Sequence, residues 1–449
     1  MRTGINVLSP CRGNISRFLS NHYHHNKRKI INDPIHGFIS IRSELIYDLI
    51  SDPFFQRLRR IRQLGMTHFV YPGATHSRFQ HAIGAMHLMD MAIGVIRSKM
   101  HEITGPEEEA VLIAALLHDI GHGPFSHTLE SSIIPDMPHE EMSNILMNEL
   151  NKKFRGKLSL AIEIFRNRYK KKFLHQLVAG QLDMDRMDYL KRDSFYTGVT
   201  EGVIGSDRII KMLNVVDDQL VVEAKGIYSV EKFLIARRLM YWQVYFHKTV
   251  VSAENLLTML LRRAREIVLT GEELFGSPYL LYFLKERAEA VDKESNQVFK
   301  VKKETINNFI NLDDDDILSA AKVWVKHSDR TLSLLARWFT ERHLFRIVFQ
   351  DMAFGKERID ILKEKLKLEY DIPGDESSYF VISGSISNYA YTSEDERIKI
   401  LYKDGNIADI SDASDMLDIS VLSKTVKKYF LCYPKKLENF HDTKSRKKL

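Results

Sequence analysis

The chain reads as mainly α with a smaller α+β lobe at its C-terminal end, and three features predict this. Helix-start signals and apolar residues at helical spacing dominate up to about residue 350. Past Tyr370-Asp371-Ile372-Pro373-Gly374 the texture changes to short aromatic and β-branched runs. No uninterrupted apolar run approaches the ~20 residues that a membrane helix needs.

The elements follow in order. Asp52-Pro53 opens a helix, with proline in the first turn. Thr75-His76-Ser77 leads into a helix running to about Ser98, with Ala82, Met86, Met89, Ile93 and Ile96 as its buried stripe. His81 falls off that stripe, in the first turn. Pro106-Glu107-Glu108-Glu109 opens another helix, whose apolar run 110–117 ends at His118. Asp217-Asp218 ahead of Leu220-Val221-Val222 predicts a short hairpin. Residues 228–267 read as one long helix, and 314–326 and 331–339 as two more. Residues 292–308 are polar enough to form a mobile insert. In the last lobe, 379–383, 397–402 and 429–433 read as strands, with a helix near 414–427. The divisions are therefore a basic arm at 1–28, a helical core at 29–350, and an α+β lobe with a basic tail at 351–449.

With 449 residues and 44% apolar content, the chain has material for a large core. Its two cysteines, Cys11 and Cys432, form neither a disulfide framework nor a metal cluster, which favours a reducing, cytoplasmic setting. The net charge of +6 is unevenly placed. The first 32 residues lack Asp and Glu but hold Arg2, Arg12, Arg17, Lys27, Arg28 and Lys29. A plain basic arm or a misassigned start explains this better than a transit peptide. Basic runs alone do not establish nucleic-acid binding.

The chemistry concentrates around Leu117-His118-Asp119-Ile120-Gly121-His122-Gly123. An imidazole and a carboxylate at a helix end suit a divalent metal facing phosphate, with glycines allowing a ligand close. The plainer alternative is a helix C-cap with a dipole-favoured histidine. His127 and His139 follow downstream, and His81 lies upstream. The stretch Asp183-Met184-Asp185-Arg186-Met187-Asp188-Tyr189 is dense in charge, which also fits a salt-bridged helix face. An H…HD…D set from three separated helices, here His81, His118, Asp119 and Asp185, resembles the ligand pattern of HD-domain metallophosphohydrolases. Its mixed N/O donors suit one divalent ion of Mn, Fe, Zn, Co or Mg.

Several further segments carry a resemblance: Asn32-Asp33-Pro34-Ile35-His36-Gly37, Phe55-Gln56-Arg57-Leu58-Arg59, Arg62-Gln63-Leu64-Gly65, Tyr71-Pro72-Gly73-Ala74, Arg78-Phe79-Gln80-His81, the run from His118 to His127, the run from Asp183 to Asp193, and Tyr245-Phe246-His247-Lys248. The chain is similar over roughly 29–350 to dNTP triphosphohydrolases of the HD superfamily, the branch containing the animal SAM-and-HD-domain enzyme and bacterial dGTP triphosphohydrolases. The resemblance implies an HD-domain metallophosphohydrolase core that cleaves deoxynucleoside triphosphates, dGTP among them, to deoxynucleoside and tripolyphosphate. It implies metal ligation by His81, His118, Asp119 and Asp185. His127 would stand beside the scissile bond, supported by Glu130 and His139, with His122 on phosphate. Arg78, Arg186, Arg237 and Lys248 would serve the triphosphate, and Gln63, Leu64, Tyr189, Asp193 and Tyr245 the sugar and base. Asp193 would accept from a 3′ hydroxyl, and Tyr245 would crowd out a ribose hydroxyl.

The resemblance further implies a nucleotide activator, weak single-stranded nucleic-acid binding and a dimeric or tetrameric homo-oligomer, with no membrane. Departures bear on these. Tyr241 and Phe246 replace polar residues near the substrate. Ser51 stands where the animal branch has an acid beside the guanine-reading positions Gln56 and Arg59. The rival readings are an HD enzyme acting on another phosphoester, such as a nucleoside monophosphate or an oligonucleotide, and a catalytically silent nucleotide- or nucleic-acid-binding protein.

Overall fold

Capping chemistry sets the three helices on which the fold centres. Ser77 and Gln80 form a capping box at the start of the helix Arg78–Ser98, Ser77 donating its amide to Gln80 Oε1 at 2.9 Å. Thr104 and Glu107 do the same for Gly105–Leu117, with the Thr104 amide 2.8 Å from Glu107 Oε2. Asp183 caps Met184–Thr197 by accepting the Arg186 amide at 2.7 Å, and Gly198 ends that helix with left-handed backbone. The computed structural model describes residues 29–126, 137–286, 301–372, 374–388, 397–415 and 426–439. The predicted basic arm, His127, Glu130, the basic tail and most of the helix expected near 414–427 lie outside the described residues.

Arg78–Ser98 packs against both Gly105–Leu117 and Met184–Thr197. This explains one departure from expectation. The stripe Ala82, Met86, Met89, Ile93 and Ile96 is buried as predicted, but His81 is buried too, at 0% exposure. A helix sandwiched on two sides has an internal polar face as well as an internal apolar one.

Three small sheets surround the helices. Strands β1 (Lys29–Asp33) and β2 (Gly37–Ile41) pair antiparallel, Lys29 opposite Ile41, a hairpin that periodicity did not predict. Its turn is held by Asp33, which accepts the Ile35 and His36 amides at 2.9 and 3.0 Å. The predicted hairpin at 217–218 is present as β3 (Leu213–Val216) and β4 (Gln219–Glu223). Asp217 and Asp218 both take left-handed backbone there, φ 49° and 59°, the turn form that suits strand twist. Strand β4 pairs in parallel with β7 (Lys399–Leu401), which pairs with β8 (Ile407–Asp409). The third sheet runs β5 (Arg346–Gln350), β9 (Val426–Tyr433), β6 (Ile382–Asn388), all antiparallel.

Other expectations needed correction. The long helix at 228–267 is two helices, Ile227–Met240 and Lys248–Leu269, separated by a π turn over Tyr241–Tyr245. His247 caps the second helix, accepting the Thr249 amide at 3.1 Å, and its extended backbone breaks the helical phase. The strand expected at 379–383 begins only at Ile382, because Tyr379 ends a 3₁₀ turn. Within the expected insert, Lys303–Phe309 is a helix whose Phe309 packs on Phe283 with ring centres 6.4 Å apart. The short helix Ile410–Ala413 precedes the one expected near 414–427, where Val426 and Lys427 already belong to β9. The helices at 314–326 and 331–339 are observed as Asp314–Trp324 and Arg330–Thr340.

The Thr104–Glu107 cap doubles as a buried ion site. Glu107 is 4% exposed and accepts from Tyr169 Oη at 2.6 Å and Lys171 Nζ at 2.8 Å. Burial alone would raise its carboxyl, but Lys171, Tyr169 and Thr104 hold it at about 2, below an ordinary value of 4.5. A depressed carboxyl contributes stability that is complete above the unfolded value and lost as pH falls through the folded one. Glu107→Gln should therefore cost about 1–3 kcal/mol at pH 7. In parallel thermal melts, the gap between wild type and variant should close as pH falls from 4.5 towards 2. A gap independent of pH would contradict this.

Candidate metal centre and substrate cleft

His81, His118 and Asp119 converge on one point, and Asp185 reaches the two imidazoles from the third central helix. His81 Nε2 lies 3.3 Å from His118 Nε2, 3.0 Å from Asp185 Oδ1 and 3.6 Å from Asp119 Oδ2. His118 Nε2 lies 3.4 Å from both Asp185 Oδ1 and Asp119 Oδ1. Edges of about 3 Å are those of a coordination polyhedron whose metal–ligand bonds are about 2.1 Å. The donor set fits a divalent ion: two imidazole nitrogens and two carboxylates, in a pocket closed to bulk water on the histidine side.

The second nitrogen of each imidazole fixes the ring. His118 donates Nδ1–H to the Ala115 carbonyl at 2.7 Å, so Nε2 is left to face the cluster. His81 Nδ1 lies 2.8 Å from Asp188 Oδ2. Asp188 is itself held by His36 Nε2 at 2.7 Å and by Arg192, Nε at 2.8 Å and Nη2 at 3.0 Å. Arg192 reaches on to Asp33 through Nη1 at 2.8 Å. Asp188 and Arg192 are both at 0% exposure. The carboxylate sits where the helix Arg78–Ser98 has no side chain: a Cβ at Gly84 would lie 2.0 Å from Asp188 Oδ1. Gly121 serves a similar close approach, but to protein rather than to a ligand as its sequence context suggested. A Cβ there would meet the Ser143 amide at 2.3 Å. Ser143 Oγ accepts the Gly121 amide at 2.9 Å and donates to the His118 carbonyl at 2.6 Å, tying the turn to the helix His139–Lys153.

Electrostatics follow from this packing. Burial disfavours an imidazolium at His81, but Asp185 and Asp188 outweigh it and raise the ring to about 10. His118, also buried, is raised to about 9 by Asp119 and Asp185. Asp119 is buried, yet His118 and Arg78 hold it well below the usual carboxylate range. His122 behaves oppositely: burial and the Arg78 guanidinium keep it neutral.

Around the cluster the other predicted residues distribute as follows. Arg78 is 2% exposed, pairs with Asp119, and donates Nε to Ser126 Oγ at 2.8 Å. His122 and His139 stack at 3.8 Å between ring centres, with His122 Nε2 3.4 Å from Asp119 Oδ1. Those two histidines and Asp119 form a second group of convergent donors. Asp193 accepts from Tyr245 Oη at 2.8 Å and lies 2.8 Å from His76 Nε2. The Tyr189 ring lies 6.5 Å from His81 and 6.2 Å from Tyr245, which lies 5.1 Å from Tyr241. Arg237 is buried and donates to Gln181 Oε1 at 3.2 Å. Arg186 pairs with Asp183 and donates to the Gly180 carbonyl at 2.7 Å. Gln63 is joined to His76 by a 3.0 Å backbone hydrogen bond, and Leu64 packs on the core. Gln56 and Arg59 bond each other at 2.9 Å, with Arg59 over the Phe79 ring.

Lys248 is not drawn into this assembly. The break at His247 turns it onto an exposed first turn, where it lines a separate basic cavity with Arg342, Arg346 and Lys435. The π turn likewise means that Arg237 and Tyr245 do not share one regular helix, as their eight-residue spacing had implied. Five residues of the site were not singled out from sequence: Asp33, His36, His76, Asp188 and Arg192. The Asp188–Arg192 spacing of i, i+4 was the readable signal for the inner pair. Their partners 152 and 159 residues away were not.

Asp188→Asn should leave the helices formed but weaken metal binding about 10–100-fold, the usual cost of losing an outer-shell partner. Chelator competition measures it. Unchanged affinity would show that Asp188 does not orient His81.

Residues 78–193 match the HD domain model, and 204–275 the HD associated region. A crystal structure of a phosphohydrolase from Bacteroides thetaiotaomicron superposes with a TM-score of 0.86 at 53% identity, covering 91% of this chain and 100% of that one. The uncharacterized protein YwfO of Bacillus subtilis is 34% identical over 92% of this chain and 93% of its own length. The human deoxynucleoside triphosphate triphosphohydrolase SAMHD1 is 29% identical over 62% of this chain, which spans only 51% of that protein. No helix among the described residues is long and apolar enough to cross a membrane. Motif, ligand geometry and these similarities agree, and the chain belongs to the HD superfamily of phosphohydrolases, as a dNTPase-like member.

Proposed function

We propose that this hydrolase cleaves deoxynucleoside triphosphates, dGTP among them, to deoxynucleoside and tripolyphosphate, using one divalent ion. The observation that carries the reading is the Tyr245–Asp193 hydrogen bond, 2.8 Å long, linked to the metal cluster by the Tyr189 ring. A carboxylate fixed by one phenol and one imidazole keeps free lone pairs for a 3′ hydroxyl. The Tyr245 ring, anchored by the same bond, is too rigid to yield to a 2′ hydroxyl.

The phosphate side supports the same substrate. Gln63 Oε1 and Arg237 Nε are buried without a hydrogen-bond partner among the described residues, as groups awaiting a ligand would be. Arg78 and neutral His122 flank Asp119, and the near-parallel His122 and His139 rings suit hydrogen bonds to an anion better than ligation of a second ion. His81, His118, Asp119 and Asp185 would hold a divalent ion, which would supply Lewis acidity to the reaction. Water adds to the α-phosphorus, the bond to the 5′ oxygen breaks, and His127 gives that oxygen its proton. Glu130 and His139 support His127 in this scheme. Arg78 and Arg237 balance the triphosphate charge, with Arg186 available once it leaves Asp183.

Incubating metal-loaded protein with the four dNTPs and four NTPs, with and without GTP, tests the proposal. Deoxynucleoside and tripolyphosphate are the expected primary products, and NTPs should be poor substrates. Release of dNMP with pyrophosphate, turnover only of other phosphoesters, or binding without turnover would contradict it. His127→Ala should slow turnover about 10²–10⁴-fold. Asp185→Ala should lose metal and activity together while retaining helical circular dichroism; full metal stoichiometry in that variant would remove Asp185 from the ligand set. Tyr245→Ala should narrow the dNTP-to-NTP ratio of kcat/KM, and Tyr245→Phe, which keeps the ring but loses its anchor on Asp193, should narrow it less. A ratio unchanged in both variants would rule out sugar selection by Tyr245.

A further inference from the structure

Beyond the ligand-bearing turn, the chain enters a conformation that side-chain-bearing residues avoid. Phe125 and Ser126, both buried, hold consecutive left-handed backbone, φ 52° and 55°. Such strain persists only where neighbours over-determine it. Here the neighbour is remote in sequence. Asp314, 2% exposed at the head of the helix Asp314–Trp324, accepts the Phe125 amide through Oδ1 at 2.8 Å and the Arg62 amide through Oδ2 at 3.0 Å. One carboxylate therefore clamps two separate backbone segments.

Ser126 joins the same two segments from the other side. Its Oγ donates to the Arg62 carbonyl at 2.9 Å and accepts Arg78 Nε at 2.8 Å. Arg78 in turn pairs with Asp119. The segment before Asp314 adds a second brace: Arg57, fully buried, donates Nε to the Leu312 carbonyl at 3.2 Å and Nη2 to the His122 carbonyl at 2.5 Å. Asp314 and Arg57 thus hold the turn 120–126 at both its ends, Asp314 through the Phe125 amide and Arg57 through the His122 carbonyl.

We propose that Asp314 is a positioning residue: it locks the Phe125–Ser126 turn and, through Ser126 Oγ, sets the direction in which Arg78 presents its guanidinium to a substrate phosphate. This rests on the reading of Arg78 as a phosphate contact. Asp314→Asn places an NH₂ against an amide donor and should loosen the turn, whereas Ser126→Ala leaves both Asp314 hydrogen bonds intact and removes the Oγ links to Arg78 and to the Arg62 carbonyl.

The full-length, metal-loaded protein is compared with Asp314→Asn, Ser126→Ala and the double variant, with inorganic tripolyphosphate as the probe. Asp314→Asn should speed hydrogen exchange in peptides covering 120–126 and raise the tripolyphosphate Kd about tenfold at unchanged metal content. Ser126→Ala should raise that Kd by a similar factor without speeding exchange at Phe125. The double variant should be no worse than the worse single one, because both act on one path. Unchanged exchange in Asp314→Asn, or additive losses in the double variant, would overturn the proposal. If Asp314→Asn does not fold, Ser126→Ala decides alone, and an unchanged Kd overturns it. Wild-type protein that does not bind tripolyphosphate would instead refute the phosphate reading of Arg78, and unchanged exchange would still refute the clamp by itself.

Discussion

The Asp188 carboxylate is the joint on which the centre depends. It has no contact with solvent, and it accepts from His81, His36 and Arg192 at 2.7–3.0 Å. A buried charge in that position is tolerable only with every lone pair matched, since an unpaired one costs several kcal/mol. Three constraints meet there: the tautomer of His81, the seating of the β1–β2 hairpin through Asp33 and His36, and the close packing of Arg78–Ser98 on Met184–Thr197 that Gly84 permits. The fold and the candidate ligand His81 are therefore held in place by the same atoms. Moving Asp188 would release a histidine from its ligating geometry and a strand pair from the core.

A similar economy appears on the other side of the cluster. Arg57 and Asp314 hold backbone carbonyls and amides of the turn 120–126, and neither touches the four convergent donors. A turn held by buried, hydrogen-bonded charges is rigid, because each such bond is strong in a low-dielectric interior. The Tyr245–Asp193–His76 hydrogen bonds extend this rigidity toward Tyr189.

The four candidate ligands could be picked out in the sequence, and the residues packed around them could not. His118 and Asp119 are adjacent, and His81 and Asp185 sit on periodic helices with their own caps, so a short pattern exposed all four. The site's outer half is built from pairs more than 100 residues apart, such as His76 with Asp193, which no local period encodes. Periodicity also misread geometry where phase breaks without proline or glycine. Residues 228–267 look continuous, yet a π turn and the His247 cap divide them and send Lys248 elsewhere. His81 lies off the apolar stripe and is nevertheless buried, because its helix is enclosed there by neighbours on two sides. The β1–β2 hairpin escaped because its strands are short and Asp33, not a glycine pair, organises the turn.

The central claim is that His81, His118, Asp119 and Asp185 hold a single ion in a mixed nitrogen–oxygen shell. X-ray absorption at the metal edge, on protein loaded with Mn or Co and quantified by elemental analysis, measures that shell directly. The account predicts one ion per chain, two imidazole scatterers, the remainder oxygen at about 2.0–2.2 Å, and no metal–metal vector. A shell lacking histidine, or a second metal at about 3.5–4 Å, would contradict it.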